Sequence, residues 1–371
     1  MRPLTHFTAA IFVLASLAAS QLPAQQSAAP PQAAAPASTI IVDARLVIVP
    51  AIVRDKKNAL IPSLTRENFA LTVDGKPQTL RYFDHDANVP LTVGLLIDTS
   101  QSQRSVLDEE RSASTTFVEK MLAPERDQAF VIQFAHSAEL LQDVTNSRPK
   151  LQKALKEVDT PSPTLQRNDN SNVNELQQQG DHHGYGHDSS GGTVLYDAVF
   201  LASDEVINKQ QGRRALIILT DGDDRGSLKS LTQAIEAAQR ADTMIYAIYY
   251  KGEQHGGYDH GYGGRHGGIG FPGQHLGGQR PGGYGQQRPD GKKILERMCG
   301  ETGGRVYEVS KKETVEKIYA EIGEELRSQY RLGFTPSAEA ASEGYHKITL
   351  TLAGQPAKDK DQAYSRDGYY R

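Results

Sequence analysis

The sequence predicts an α/β fold, a mainly parallel β-sheet with helices on both faces, joined to a smaller β module. Three observations predict it. Four apolar runs, at residues 93–97, 129–134, 215–219 and 244–249, are continuous rather than alternating, as expected of strands buried on both faces. Helical periodicity separates them: Leu195, Ala198, Ala202 and Val206 fall on one face, as do Val315, Ile318, Tyr319, Ile322 and Leu326. Before and after this region the pattern changes to short alternating or β-branched stretches. Strand alternating with helix gives a parallel, Rossmann-like sheet, because each crossover must pack back onto the sheet.

Residues 1–24 read as a signal peptide. Arg2 supplies the charge, residues 9–19 the apolar run, and Leu22-Pro23-Ala24 a cleavage site, so the mature chain is expected to begin near Gln25. The run is too short for a permanent bilayer span, and no later stretch is long and apolar enough for a transmembrane segment. The expected location is therefore outside the cytoplasm, periplasmic or secreted. Residues 25–38 are rich in Ala, Pro and Gln and read as a disordered leader.

Residues 39–88 favour strands. Ile40-Ile41-Val42 opens a β-branched stretch reaching Val53, residues 69–73 form a second run, Asp74-Gly75 is a turn, and residues 79–83 are read as the returning strand. Residues 89–327 carry the α/β pattern, interrupted by polar, low-complexity inserts at 161–191 and 252–291; the second holds 16 of the 34 glycines. In residues 328–371, Tyr330, Leu332 and Phe334, then Ile348, Leu350 and Leu352, alternate with polar or small residues. These strands are expected to join those of residues 39–88, since chain ends often lie close together. The single cysteine, Cys299, is read as buried in a helix. The net charge of −4 gives no basic footprint for nucleic acid.

In such a sheet, ligands bind beyond the carboxyl ends of the strands. There the first buried strand ends in Asp98-Thr99-Ser100-Gln101-Ser102, and the third ends in Thr220-Asp221-Gly222. Gly191-Gly192-Thr193 opens a helix. Two carboxylates gathered at one apolar rim repel each other unless a cation compensates them. Hydroxyl and carboxylate oxygens are hard donors, suited to magnesium, manganese or calcium rather than zinc or copper. Asp223, Asp224 and Ser227 are read as turn and cap residues of a helix beginning near Leu228.

This set of three segments, in this order, resembles the metal-ion-dependent adhesion site of von Willebrand factor type A (VWFA) domains, and the run through Ser227 with its flanking strands resembles a group of bacterial exported proteins carrying such a domain. The resemblance implies that Ser100, Ser102 and Thr193 coordinate a divalent cation directly, magnesium first, with manganese or calcium as alternatives. Asp98 and Asp221 would act through water or from behind. It also implies a protein partner that completes the coordination with an Asp or Glu carboxylate.

The expected function is metal-dependent protein binding, in adhesion or assembly, without catalysis. Two alternatives stay open: a scaffold whose ion only stabilises the fold, and a hydrolase using Ser100 or Ser102. The sequence has no Gly-x-Ser-x-Gly elbow, and His136 is the one histidine of the α/β region outside the inserts. Seven of the eleven histidines lie in the inserts among Gly, Gln and Tyr, a setting for incidental metal affinity rather than one defined geometry.

Overall fold

The computed structural model describes residues 46–123, 125–159, 192–251, 290–337, 342–354 and 361–371. The expected signal peptide, the leader, the start of the first β stretch at residues 40–45 and nearly all of both inserts lie outside these residues.

The chain enters as β1 (Val47–Arg54), followed by β2 (Phe69–Val73), β3 (Lys76–Gln78) and β4 (Leu80–Asp84). Next come β5 (Leu91–Asp98), α1 (Leu107–Met121), β6 (Gln128–Phe134), β7 (Ala138–Thr145) and α2 (Arg148–Glu157). The middle of the chain forms α3 (Leu195–Phe200), which runs on through a π-helical turn over Leu201–Val206, then β8 (Arg213–Thr220), α4 (Leu231–Arg240) and β9 (Met244–Tyr249). After these come α5 (Gly291–Thr302), β10 (Val306–Glu308), α6 (Val315–Arg327) and the strands β11 (Tyr330–Phe334), β12 (Tyr345–Leu352), β13 (Gln362–Ser365) and β14 (Gly368–Tyr370).

The central sheet has the order β10-β9-β8-β5-β6-β7, parallel except for the antiparallel edge strand β7. All eight residues of β5 are buried, which is why this run shows no alternation. Val93, Leu95 and Ile97 meet α1, α2 and α6 on one face; Leu96 joins α3, α4 and α5 on the other. Gly94 is fixed by that packing, because a Cβ there would stand 2.3 Å from the Phe130 ring and 2.6 Å from Leu216. Cys299 lies on α5, fully buried, and burial pushes its thiol pKa up.

From β5 the chain turns to α1 on one face, and from β8 it turns to α4 on the opposite face. β5 and β8 are neighbours, so the sheet's topological switch point lies between their carboxyl ends. Asp98 ends one strand and Asp221 follows the other.

Strands from both ends of the chain build two further four-stranded sheets, β13-β1-β11-β4 and β14-β12-β2-β3. Val49, Ala51 and Val53 of β1 share one core with Phe69, Leu71 and Val73 of β2, with Tyr330, Leu332 and Phe334 of β11, and with Ile348. Residues 79–83 differ from expectation. The hairpin partner of β2 is β3, across Asp74 (φ 50) and Gly75 (φ 77), whereas β4 leaves for the other sheet and pairs with β11. The Asp-Gly turn closes so tightly that only three residues remain for the return strand before the chain crosses between sheets.

No helix among the described residues is long and apolar enough to cross a membrane.

Candidate metal centre

Four of the rim side chains are connected directly. Asp98 Oδ1 accepts from the Ser100 backbone N–H at 2.9 Å, and Asp98 Oδ2 accepts from the Thr220 hydroxyl at 2.5 Å. Thr220 Oγ1 in turn accepts from the Gly222 N–H at 3.1 Å, and Ser100 Oγ and Ser102 Oγ lie 3.1 Å apart. Asp221 follows Thr220, with Oδ1 accepting from the Asp223 N–H at 3.1 Å.

Thr193 is held from two sides. The Val194 N–H donates to Ala135 O at 2.9 Å, just past β6, and the N–H groups of Arg225 and Gly226 donate to Thr193 O at 3.0 and 3.1 Å. Gly192 makes this approach feasible, since a Cβ there would come within 2.9 Å of the Arg225 and Gly226 backbones. The segment bearing Thr193 is thus bound by its backbone to the loop after β8.

That loop behaves differently from the sequence expectation. Asp224 and Ser227 do not cap a helix starting near Leu228. Asp224 Oδ2 accepts from the Tyr196 N–H at 3.0 Å and Ser227 Oγ accepts from the Asp197 N–H at 3.1 Å, so both cap α3. Asp197 reciprocates by accepting from the N–H groups of Leu228 and Lys229 at 2.9 and 2.8 Å. The following helix, α4, starts at Leu231 and takes its own cap from Ser230. The orphan N–H groups at the start of α3 lie nearer, so they capture the acceptors.

A second correction concerns the end of the expected insert. Asp290 and Gly291 belong to α5, with Asp290 accepting from the Lys292 N–H at 3.2 Å. Gly291 also shapes the site, because a Cβ there would stand 2.2 Å from Asp221 O. Gly222, at φ +78, faces it, and a Cβ there would stand 2.4 Å from Gly291 O.

Exposure rises from the sheet outward. Asp98 is fully buried, Thr193 is 9% exposed, Ser100 is half-buried and Ser102 is exposed. Burial pushes the Asp98 carboxyl pKa up to about 7, the charge of Asp221 adds to the rise, and the bonds from Ser100 and Thr220 oppose it. A carboxylate this costly to ionise calls for a cation. The donor set also fits one: adjacent ligands of an octahedral magnesium at about 2.1 Å are separated by about 3.0 Å, and the two serine oxygens are 3.1 Å apart.

The sequence reasoning missed Glu110 and Gln103, both fully buried. An acidic residue in an acidic first helical turn reads as a solvated charge, and only the packing of α1 against α6 shows otherwise.

Residues 93–223 match the profile of the von Willebrand factor type A domain. No curated protein matches the chain in sequence. Among solved structures, the chain is similar to an aerotolerance-related membrane protein from Bacteroides fragilis NCTC 9343 with multiple mutations to serines. That pair shares 16% identity, covering 64% of this chain and 98% of that one, with a TM-score of 0.40. It is also similar to BatB, a conserved hypothetical protein from Bacteroides thetaiotaomicron, at 17% identity, 63% and 98% coverage and a TM-score of 0.40. A third is proximal thread matrix protein 1 from the mussel byssus, with a zinc-occupied MIDAS motif, at 16% identity, 67% and 48% coverage and a TM-score of 0.41. Residues 93–223 thus match the von Willebrand factor type A domain, and the three rim segments follow one another in the order that such a domain implies.

Proposed function

We propose that this chain is an exported protein-binding module, working in the periplasm or outside the cell, that holds its partner through a divalent cation and carries out no catalysis. The observation that carries the reading is the buried Asp98 carboxylate at the switch point, bonded to Ser100 and Thr220, with the paired Ser100 and Ser102 hydroxyls opening outward from it. Ser100, Ser102 and Thr193 would hold the ion, with Asp98 and Asp221 acting through water or from behind. The ion supplies positive charge and an open coordination position. Because the inner donors are neutral hydroxyls, an anionic oxygen gains most there, and magnesium's reluctance to give up water disfavours neutral competitors. A partner Asp or Glu carboxylate meets that demand.

Non-catalytic use is supported by the surroundings of the serines. Ser100 and Ser102 bond to each other, and neither has an imidazole partner among the described residues. The His136 ring instead faces Gly192 O at 3.3 Å. A nucleophile without a neighbouring base is poorly activated.

The test is magnesium titration by calorimetry and thermal melting, with wild type and Thr193→Ala. Wild type is expected to bind and to gain roughly 2.7 kcal/mol at one hundred times the dissociation constant, while Thr193→Ala melts normally without ion but loses the response. Equal responses would remove Thr193 from the site. Partner capture from the native envelope should then vanish in chelator; capture that persists undiminished would leave the ion a scaffold role only.

A further inference from the structure

Behind Asp98 lies a second set of polar side chains that the rim does not use. Glu110 and Ser114 come from α1, Gln103 from the turn beside Ser102, Tyr250 from the position after β9 and Tyr319 from α6, with Glu110 close enough to Asp98, Tyr250 and Tyr319 for their charges to act on one another. All five are buried, with Tyr250 the most exposed at 6%. Ser114 and Tyr319 satisfy each other through a 2.8 Å hydroxyl pair. The rest do not: both carboxylate oxygens of Glu110, Oε1 of Gln103 and the Tyr250 hydroxyl are buried without a hydrogen-bond partner among the described residues. Buried polar groups are almost always paired, and a buried unpaired carboxylate is among the most costly groups a fold can hold.

The shortfall has a sign. Three of the four unpartnered atoms are acceptors, and the one hydroxyl cannot satisfy them all. The charges felt at Glu110 are mostly negative as well: Asp98 first, then Glu109, with Asp221 further off. Among the described residues Arg111 opposes them, but its guanidinium is spent on Val158 O and on Asp108. What the cluster lacks is positive charge. The cluster meets the rim through Gln103, whose Nε2 lies 3.5 Å from Ser102 Oγ.

We propose that Glu110 is a positioning residue of the ion site: a third carboxylate, set behind Asp98, whose negative charge fixes how tightly the divalent ion is held. This rests on the ion reading above. The site then opposes the ion with three carboxylates rather than two, only one of which is near the open face. Holding the ion from behind leaves its outward coordination position free for a partner while anchoring it against loss. The same arrangement makes Glu110 a burden on the ion-free protein, since burial first and then the Asp98 charge make its carboxyl costly to ionise and its oxygens find no partner among the described residues.

The experiment is magnesium titration by calorimetry on wild type, Glu110→Gln and Glu110→Asp, with melting temperatures measured in chelator. Glu110→Gln keeps the shape and removes the charge; it is expected to weaken magnesium binding at least tenfold while melting above wild type in chelator. Glu110→Asp keeps the charge and should retain more affinity than Gln. If Gln and wild type bind magnesium within twofold of each other, the proposal fails. If Asp and Gln lose affinity equally, Glu110 acts by packing and the proposal fails too. Should Gln not fold, Glu110→Met is measured in its place against the same tenfold criterion. If wild type itself binds no magnesium, the ion reading falls and this proposal with it, whereas binding by wild type with an unaffected Gln variant overturns this proposal alone.

Discussion

Asp98→Asn should stabilise the ion-free protein and destabilise the ion-bound one. Asp98 is fully buried, and its carboxyl pKa is pushed up to about 7 from an ordinary 3.8, by burial first and then by Asp221. A raised carboxyl pKa means that the folded state binds the proton more tightly than the unfolded chain. Its contribution to stability is therefore full below about pH 4 and is lost as pH rises through about 7. At 1.36 kcal/mol per pKa unit, the loss totals about 4 kcal/mol, roughly 2.5 kcal/mol of it between pH 5 and pH 8. Asparagine carries no such penalty. It keeps an acceptor for the Ser100 N–H but replaces the carboxylate that Thr220 donates to, at a cost of about 2 kcal/mol for a charge-assisted bond.

The balance at pH 8 in chelator is a gain of about 2 kcal/mol for Asp98→Asn, or a melting point roughly 4–8 °C above wild type. At pH 5 most of that advantage should be gone. In magnesium at a thousand times the dissociation constant, wild type gains about 4 kcal/mol and the variant little, so the order reverses. Differential scanning calorimetry at pH 5 and pH 8, with chelator or magnesium, reads all four corners. The reasoning is refuted if the variant melts at or below wild type in chelator at pH 8, or if the difference between them does not change with pH.

Two further outcomes follow from neighbouring geometry. Gly291→Ala places a methyl 2.2 Å from Asp221 O, backbone that cannot swing aside, so magnesium affinity should fall severalfold although the substitution lies on α5; an unchanged calorimetric titration would show that the Asp221 loop is not set by this contact. His346 faces two acceptors, Asp74 Oδ2 at 2.8 Å and Ser342 O at 2.9 Å, so both ring nitrogens must carry protons. Burial pulls the imidazole pKa down, but the bonds to Asp74 and Ser342 outweigh it and the net shift is upward. Its contribution to stability is then present below about pH 6.5 and lost as pH rises through the raised value, and an NMR titration giving a midpoint at or below 6.5 would refute the doubly bonded state.

The parts of the fold legible in the sequence were those governed by local rules. The runs that became β5, β6, β8 and β9 lacked alternation because both faces are covered, and the Asp74-Gly75 dipeptide demanded a turn with positive φ. What escaped were consequences of long-range contact. Residues 79–83 satisfy strand propensity equally well in either sheet, and only the pairing of β4 with β11 decides between them. Asp224 and Ser227 are good cap residues, but sequence distance suggested the helix a few positions on, while α3 offered its N–H groups across a gap of 28 to 30 residues.

The candidate centre shows the same division in its chemistry. Residue types alone announced the hydroxyls and carboxylates of Asp98, Ser100, Ser102, Thr193 and Asp221, because hard oxygen donors at strand ends suit one class of ion. They could not announce how costly those carboxylates are, which depends on burial. Asp98 is fully buried because it is the last residue of a strand with neighbours on both sides, and Glu110 is buried because α1 packs on the sheet and against α6 beside it. On the proposed reading, the cation's attraction is therefore set less by the rim loop that would carry its ligands than by the sheet and helix behind it. A variant that loosens α1 against α6 should change ion affinity without touching a proposed ligand, since it would admit water to Glu110 and relieve the charge that the proposed ion would balance.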